Sequence, residues 1–457
     1  MIDNKIRRTD VAMSDVTNAY YSCRKRKRRT RQEQEFSIFV SSSIINLRND
    51  ILFENYKPMP IRSFLIDNPV LREIFAPEFR DRVDQHLIAE KLEPLFEKEF
   101  INDCYSCRKG RGTLFGVKRL RRFIAQCSRN YTRDCYILSC DIKGYFMSIV
   151  RKCLWERLEA FIRDKYKGED LEKLLWQTRT FLFSSPLNHT IVKGHRSRWA
   201  RLPDNKSVFA CCGAPKPNAF RGTYTADMDI HQKGLTIGAL PSQMFGNFYL
   251  TPFDHFCKHE LKLRFYGRYV DDFFVVHTDK AFLKKLVHVL RAFLKSMGLS
   301  LHPDKIRIIH YKQGVPFLGV YIKGPVLLPG KRMRGAFRSL LDEIQKLDRM
   351  ANYSPDIMKY ESRLNSYFGM MRHMNAHKYM RRMVERTPRF KWFFHIDRHW
   401  EKVTADWRIR NLQYYKVRNI ANKKYHEQFR RREQMRYRTR RQLYNETYMG
   451  LYGIMPQ

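Results

Sequence analysis

The stretch Phe265-Tyr-Gly-Arg-Tyr-Val-Asp-Asp-Phe-Phe-Val-Val276 constrains the chain more than any other. Aromatic and β-branched residues on both sides of Asp271-Asp272 suit two short strands, so the segment reads as a hairpin whose tip carries two acids. An Asp-Asp dipeptide alone is usually a solvated surface turn, but apolar flanks are unlike such a turn. Adjacent carboxylates repel and desolvate badly unless a cation sits with them. A third acid comes from Tyr136-Ile-Leu-Ser-Cys-Asp-Ile-Lys-Gly-Tyr-Phe-Met-Ser-Ile149, where a short apolar strand delivers Asp141 and Gly144 then breaks it. Three hard oxygen donors on adjacent strands suit two Mg²⁺ ions, which at about 3.5–4 Å separation clamp the attacking and leaving oxygens of a phosphoryl transfer.

These acids lie in a chain with 87 Lys and Arg against 46 Asp and Glu, a formal net charge of +41 over 457 residues. Such a surplus calls for a polyanionic partner. The length suggests two to four domains, and 43% apolar with 14% aromatic residues supplies a core, which excludes wholesale disorder. The chain has no run of about 18 uncharged apolar residues and no apolar signal region at its start, so neither a membrane span nor a secretory signal is expected. Ten scattered cysteines suit reduced thiols in a cytosolic compartment. Cys104-Tyr-Ser-Cys107 has metal-ligand spacing, but the adjacent pair Cys211-Cys212 cannot easily supply the second half of a zinc site; all four read as small buried side chains.

Residues 1–55 form a basic, helix-rich extension with the cluster Arg24-Lys-Arg-Lys-Arg-Arg29. Helices are expected at 83–100, 154–166, 242–261 and 280–297, the last stopped by Gly298. Strands are expected at 306–311 and 317–322, an extended loop or insertion at 186–233, and basic helices beyond Gly330. The last 60 residues mix basic and aromatic side chains, as a nucleic-acid-facing appendage does.

At its acids the chain resembles the reverse transcriptases. Tyr269-Val-Asp-Asp272 is similar to their catalytic Tyr-x-Asp-Asp box, and Asp141-Ile-Lys-Gly-Tyr-Phe146 to the preceding motif with the third metal-binding acid. In the family's order come Arg72-Glu-Ile-Phe-Ala-Pro-Glu-Phe-Arg-Asp-Arg-Val83, Cys107-Arg-Lys-Gly-Arg-Gly112, His302-Pro-Asp-Lys305 and Val315-Pro-Phe-Leu-Gly319. Where most members have Gln-Gly-x-x-x-Ser-Pro, this chain has Ile237-Gly-Ala-Leu-Pro-Ser-Gln243, a form that resembles the reverse transcriptases of diversity-generating retroelements. The stretch Ser366-Tyr-Phe-Gly-Met-Met-Arg-His-Met-Asn375 resembles that subgroup too. The segment 209–233 is longer than the family pattern.

The resemblance implies an α+β right-hand polymerase: fingers at 56–135, an antiparallel-sheet palm at 136–329 with the insertion at 186–233, a helical thumb at 330–400 and a basic tail at 401–457. It implies RNA-directed DNA synthesis with two Mg²⁺ ions held by Asp141, Asp271, Asp272 and the Ile142 carbonyl, with Lys305 as general acid for the departing pyrophosphate. Phe146 would exclude a 2′-hydroxyl. Ile237, Gly238 and Gln243 would face the incoming base pair, with Ser242 and Gln243 on the template side. Arg72 and Arg82 would bind the triphosphate, Arg108, Lys109 and Arg111 the template backbone, and Phe317, Leu318 and Gly319 the primer. Implied partners are template RNA, primer, cDNA, dNTPs and an accessory variability determinant protein, in the cytoplasm of a bacterium or from a phage gene. The rival readings are a group II intron or abortive-infection reverse transcriptase, and a non-catalytic RNA-binding relative.

Overall fold

The computed structural model describes residues 11–25, 30–67, 70–347 and 356–406, with isolated positions 427, 430 and 434. It divides into two compact units, Met1–Gln313 and Gly314–Gln457. Residues 26–29 of the basic cluster and, those three positions apart, the part of the expected appendage beyond residue 406 fall outside the described residues.

The first unit opens with α1 (Met13–Arg24), α2 (Arg31–Ile38) and α3 (Val40–Leu52), followed by the antiparallel pair β1 (Arg62–Ile66) and β2 (Arg72–Ala76). The long α4 (Phe79–Glu99) carries two apolar stripes at i, i+4, i+8. Phe79, Val83 and Leu87 pack with Val16, Tyr20 and Leu47 of the N-terminal helices, whereas Ile88, Leu92 and Phe96 enter the main core. The helix therefore starts four residues before the expected position, because its first turn is needed to bury Phe79.

Next come α5 (Thr113–Cys127), β3 (Tyr136–Asp141), the single turn α6 (Tyr145–Ser148), α7 (Arg151–Lys165) and α8 (Leu171–Phe183). The expected insertion at 186–233 is no loose loop. It holds β4 (Ile191–Val192), paired parallel to β1, and α9 (Val208–Cys212), and it buries Leu187, Trp199, Val208, Phe209 and Tyr224 against Phe75 of β2. The single helix expected at 242–261 is broken into α10 (Leu240–Tyr249), α11 (Thr251–His255) and a π-turn over Phe256–Glu260. Pro252 explains the break, since it offers no N–H and its ring clashes with the preceding turn.

β5 (Tyr266–Tyr269) and β6 (Asp272–His277) form the expected hairpin. α12 (Lys280–Ser296) is capped by the Asp279 side chain, which accepts from the Ala281 N–H at 2.7 Å, and it ends before Gly298 at φ +72°. β7 (Arg307–His310) completes an antiparallel sheet of order β5-β6-β3-β7. One face packs Leu138, Cys140, Phe273 and Val275 into the main core, and on the other Phe274 meets Phe123 of α5.

The second unit begins with the meander β8 (Val315–Phe317), β9 (Val320–Lys323) and β10 (Val326–Pro329). The strand expected at 317–322 is thus a tight hairpin, turned at Leu318 (φ +48°) and Gly319 (φ +82°). The unit boundary at 313/314 assigns this sheet to the second unit, upstream of the expected palm limit at 329. α13 (Lys331–Gln345), α14 (Asp356–Met371), α15 (His377–Glu385) and α16 (Phe390–Phe393) follow, then β11 (Phe394–Ile396) paired with β12 (Val403–Ala405). Phe337, Leu340, Ile344, Leu364, Phe368 and Val403 share one core, which therefore extends past the expected thumb limit at 400. Helices with antiparallel sheets give the α+β class expected from the sequence. Among the described residues no helix is long and apolar enough to cross a membrane.

Candidate active site

The pairing of β3 with β6 places Asp141 directly opposite Asp272, and the Ile142 N–H donates to the Asp271 carbonyl at 3.2 Å. Tyr269 pairs with Asp272, so Val270 and Asp271 form a two-residue connection. Val270 has φ +56°. A β-branched residue in the left-handed region is strained by about 1–3 kcal/mol and persists only where its surroundings hold it.

Asp141 is buried, and Asp271 and Asp272 are half-buried. Burial, then repulsion from Asp141, raises the Asp271 carboxyl above its ordinary range. Burial, then repulsion from Asp271 and Asp141, pushes Asp272 up to about 7, and its carboxyl hydrogen-bonds that of Asp141. The Lys305 ammonium donates to Asp141 Oδ2 at 2.7 Å, and the charge of Arg72, exposed on β2, acts on Asp271. The His302 N–H donates to the Asp141 carbonyl at 2.8 Å and fixes the turn that carries Lys305. Three desolvated, mutually repelling carboxylates are the right donor chemistry for a hard cation. As they stand, no three His, Cys, Asp or Glu side chains are gathered at metal-holding spacing among the described residues, and Lys305 supplies the positive charge at Asp141.

Phe146, on α6, lies half-buried with its ring 5.4 Å from that of Tyr145 and pressed on Gly246, where a Cβ would come within 3.0 Å of it. Gly238 has φ +129°, and a Cβ there would lie 2.2 Å from the Phe75 carbonyl oxygen, beside the hydrogen bond from the Phe75 N–H to the Ile237 carbonyl at 2.8 Å. The close approach of strand β2 and the left-handed φ both demand a glycine here. Ile237 is half-buried and packs with the cluster of Phe75, Trp199 and Phe209.

Ser242 is buried, its Oγ is 3.4 Å from that of Thr236, and it borders a partly open pocket of about 80 Å³ shared with Tyr56, Asp84 and Arg151. Gln243 is exposed and accepts from the Cys107 thiol at 3.3 Å. The Arg108 guanidinium is nearly buried, pairs with Glu97 at 2.9 Å and donates to the carbonyls of Ile101 (2.7 Å) and Cys104 (2.9 Å), so these donors are used inside the fold. Lys109 is 88% exposed and pairs with Glu93 at 3.2 Å, while Arg111 donates to Asn102 Oδ1 at 2.6 Å over the Phe115 ring. Arg82 donates to the Pro77 carbonyl at 2.9 Å at the start of α4. In the second unit Phe317 is buried, and Leu318 and Gly319 make the β8–β9 turn. Of the cysteines expected to be buried, Cys104 and Cys212 are; Cys107 is exposed and Cys211 intermediate.

The reading from sequence missed Ser106, Asn247, Asp254 and Arg268, all buried behind the hairpin. One signal was available: an arginine inside the apolar run Phe265–Val276 needs a buried acid to pair with.

Residues 68–322 match the family described as reverse transcriptase (RNA-dependent DNA polymerase). A curated relative, protein YkfC of Escherichia coli (strain K12), is 25% identical over 281 residues, covering 60% of this chain and 69% of its own length. Among solved structures, the telomerase of Candida albicans in complex with a TWJ fragment of telomeric RNA is similar at 12% identity and TM-score 0.41, over 72% of this chain. The apo telomerase of Candida tropicalis, truncated from its C-terminal domain, is similar at 13% identity and TM-score 0.39, over 59% of this chain. The matched region spans 55% of each telomerase chain. Enzymes of the matched family generally use divalent metal ions. With the family match extending over more than half of its length and the acids of both palm motifs brought together on one sheet, the chain belongs to the reverse transcriptase (RNA-dependent DNA polymerase) family.

Proposed function

We propose that the chain is the RNA-directed DNA polymerase of a diversity-generating retroelement, copying a template-repeat RNA into cDNA with errors at adenines for mutagenic retrohoming. The observation that carries the polymerase reading is the register that sets Asp141 opposite Asp272 with Asp271 in the adjoining turn. The subgroup rests on Ile237-Gly-Ala-Leu-Pro-Ser-Gln243.

Asp141, Asp271, Asp272 and the Ile142 carbonyl would hold two Mg²⁺ ions, which when bound neutralise charge on the primer 3′-oxygen and on the leaving pyrophosphate. The protein's own groups do the rest. Lys305, half-exposed beside Asp141, holds a proton within reach of the departing pyrophosphate. Arg72, the charge felt at Asp271, binds the triphosphate with Arg82. Phe146 closes the space under the sugar, and Lys109 and Arg111 meet template phosphates. In this reading residues 56–135 are fingers, 136–329 palm and 330–400 thumb, with Phe317, Leu318 and Gly319 holding the primer. Template RNA, primer, cDNA and dNTPs are the ligands, an accessory variability determinant protein is the partner, and the compartment is the bacterial cytoplasm.

The test is primer extension on an RNA template with dNTPs and Mg²⁺. Changing Asp271 and Asp272 together to Ala should abolish incorporation and leave RNA binding nearly unchanged, because the basic surface supplies phosphate affinity. Incorporation retained within about tenfold of the unaltered protein, equivalent to a barrier change of only about 1.4 kcal/mol, counts against the acids. Errors spread evenly over all four template bases would remove the retroelement reading and leave a group II intron or abortive-infection type of polymerase. No extension at all leaves a non-catalytic RNA-binding relative.

A further inference from the structure

Val270 is strained, and neither of its backbone polar groups is satisfied by the hairpin ladder. Its N–H donates to Ser106 Oγ at 3.1 Å, and its carbonyl accepts from Arg268 Nη1 at 2.9 Å. Asn247 of α10 joins the two holders: Asn247 Oδ1 accepts from Ser106 Oγ at 2.7 Å and from Arg268 Nη1 at 3.3 Å, and Asn247 Nδ2 donates to the Ser106 carbonyl at 2.7 Å. Behind them Asp254 takes the other side of the guanidinium, from Nε at 2.8 Å and Nη2 at 2.5 Å, and accepts from the Tyr266 hydroxyl at 2.6 Å. Ser106, Asn247, Arg268 and Asp254 are each at most 2% exposed.

The ring ends on the backbone of the hairpin tip. Asp254 takes the Nε and Nη2 sides of the guanidinium, and Nη1, which burial obliges to find acceptors, reaches the carbonyl of the residue just before Asp271. Ser106 uses its hydroxyl in both senses, donating to Asn247 and accepting from Val270. The ring therefore grips the one backbone unit whose rotation would swing the Asp271 and Asp272 carboxylates, and it holds that unit in a conformation which valine does not adopt unaided.

We infer that Ser106, Asn247 and Arg268, anchored by Asp254, are positioning residues that clamp Val270 in its left-handed conformation and so hold Asp271 and Asp272 in register with Asp141. The inference rests on the polymerase reading. It also gives Ser106, one residue before the Cys107–Gly112 block, a line to the acids through its hydroxyl, beside the backbone hydrogen bonds that tie Asp103 and Tyr105 to Arg268.

The experiment compares the full chain with Ser106→Ala and with Ser106→Ala combined with Val270→Gly. The serine change deletes one hydroxyl and leaves Asn247 Oδ1 an arginine donor. Hydrogen exchange of the hairpin peptide reads the clamp without activity, and primer-extension kinetics read its consequence. Ser106→Ala should speed exchange at Val270 and lower kcat by about tenfold or more, since small misplacements of reacting groups are this costly. RNA affinity and the KM for dNTP should stay near their original values, and Tm should fall by no more than the loss of two buried hydrogen bonds implies. Glycine reaches the left-handed region freely, so adding Val270→Gly should restore most of kcat. A kcat for Ser106→Ala near that of the unaltered chain overturns the inference, and so does a double variant no faster than the single one. If the unaltered chain extends no primer, the polymerase reading fails; the exchange measurement then still decides whether the clamp exists.

Discussion

Replacing Glu73 by Gln should reverse part of the protein's response to pH. Glu73 sits wholly buried on β2, where Oε1 accepts from Trp199 Nε1 at 2.6 Å, Oε2 from the Val208 N–H at 2.5 Å, and both from Ser207 Oγ at 3.4 Å. Burial outweighs these hydrogen bonds and raises its carboxyl from the ordinary 4.5 to about 7. Between those values the folded chain keeps a proton that the unfolded chain has lost, so its stability falls as pH rises through the window, and the full penalty stands above about pH 7. At 1.36 kcal/mol per pH unit that penalty is about 3 kcal/mol. Gln carries no charge and keeps one amide oxygen for Trp199 or Val208, while its amino group, which cannot accept, faces the other; that loss is the same at every pH and cancels in the comparison. Asp81 and Asp84, raised to about 6 and about 7 by their own burial, tilt both proteins alike and cancel in the comparison. Urea unfolding followed by tryptophan fluorescence at about pH 5 and pH 8 should show the variant gaining about 3 kcal/mol on the original between the two. Parallel losses in the two proteins would mean that Glu73 is ionised throughout and that its three donors fully offset its burial.

Phe146→Ala should admit ribonucleotides by opening the space over Gly246, read as incorporation from each nucleotide pool; a variant that still polymerises and still rejects them removes Phe146 as the gate. Ile237→Gln tests whether an apolar side chain sets adenine errors: a lower adenine error fraction in sequenced cDNA supports that role. Slowed synthesis with an unchanged error spectrum instead fits its packing against Phe75 and Trp199. RNA affinity should fall steeply from about 50 to 200 mM salt as counterions are released from phosphates, and a flat titration would detach the +41 charge from nucleic acid.

The acids could be read from the chain because the chemistry and the local pattern agree there: apolar strands end in carboxylates, and β3 beside β6 brings those ends together. α12 could be read for the same reason, with a capping Asp279 at one end and Gly298 at the other. What escaped depended on partners that local pattern does not reveal. Arg108 looks like any basic residue until Glu97, a turn away at the end of α4, takes its charge. Nothing local to Gly238 announces that β2 crosses it, or to Ser242 that its helix turns it inward. The 186–233 segment has no period to detect, because its order comes from contacts such as Glu73 with Trp199, 126 residues apart in sequence.

The order β5-β6-β3-β7 has a consequence during synthesis. The central strand β3 leaves the ribosome first, and the partner of Asp141, Asp272, follows 131 residues later, with β7 later still. At roughly 5–20 residues per second, β3 waits on the order of ten seconds with both edges bare. A short apolar strand in that state is a ready template for pairing with another nascent chain. Yield in the cell is then governed less by the final stability of the sheet than by whatever covers Tyr136–Asp141 during that interval, and translation stalled between Asp141 and Asp272 is the costliest place to pause.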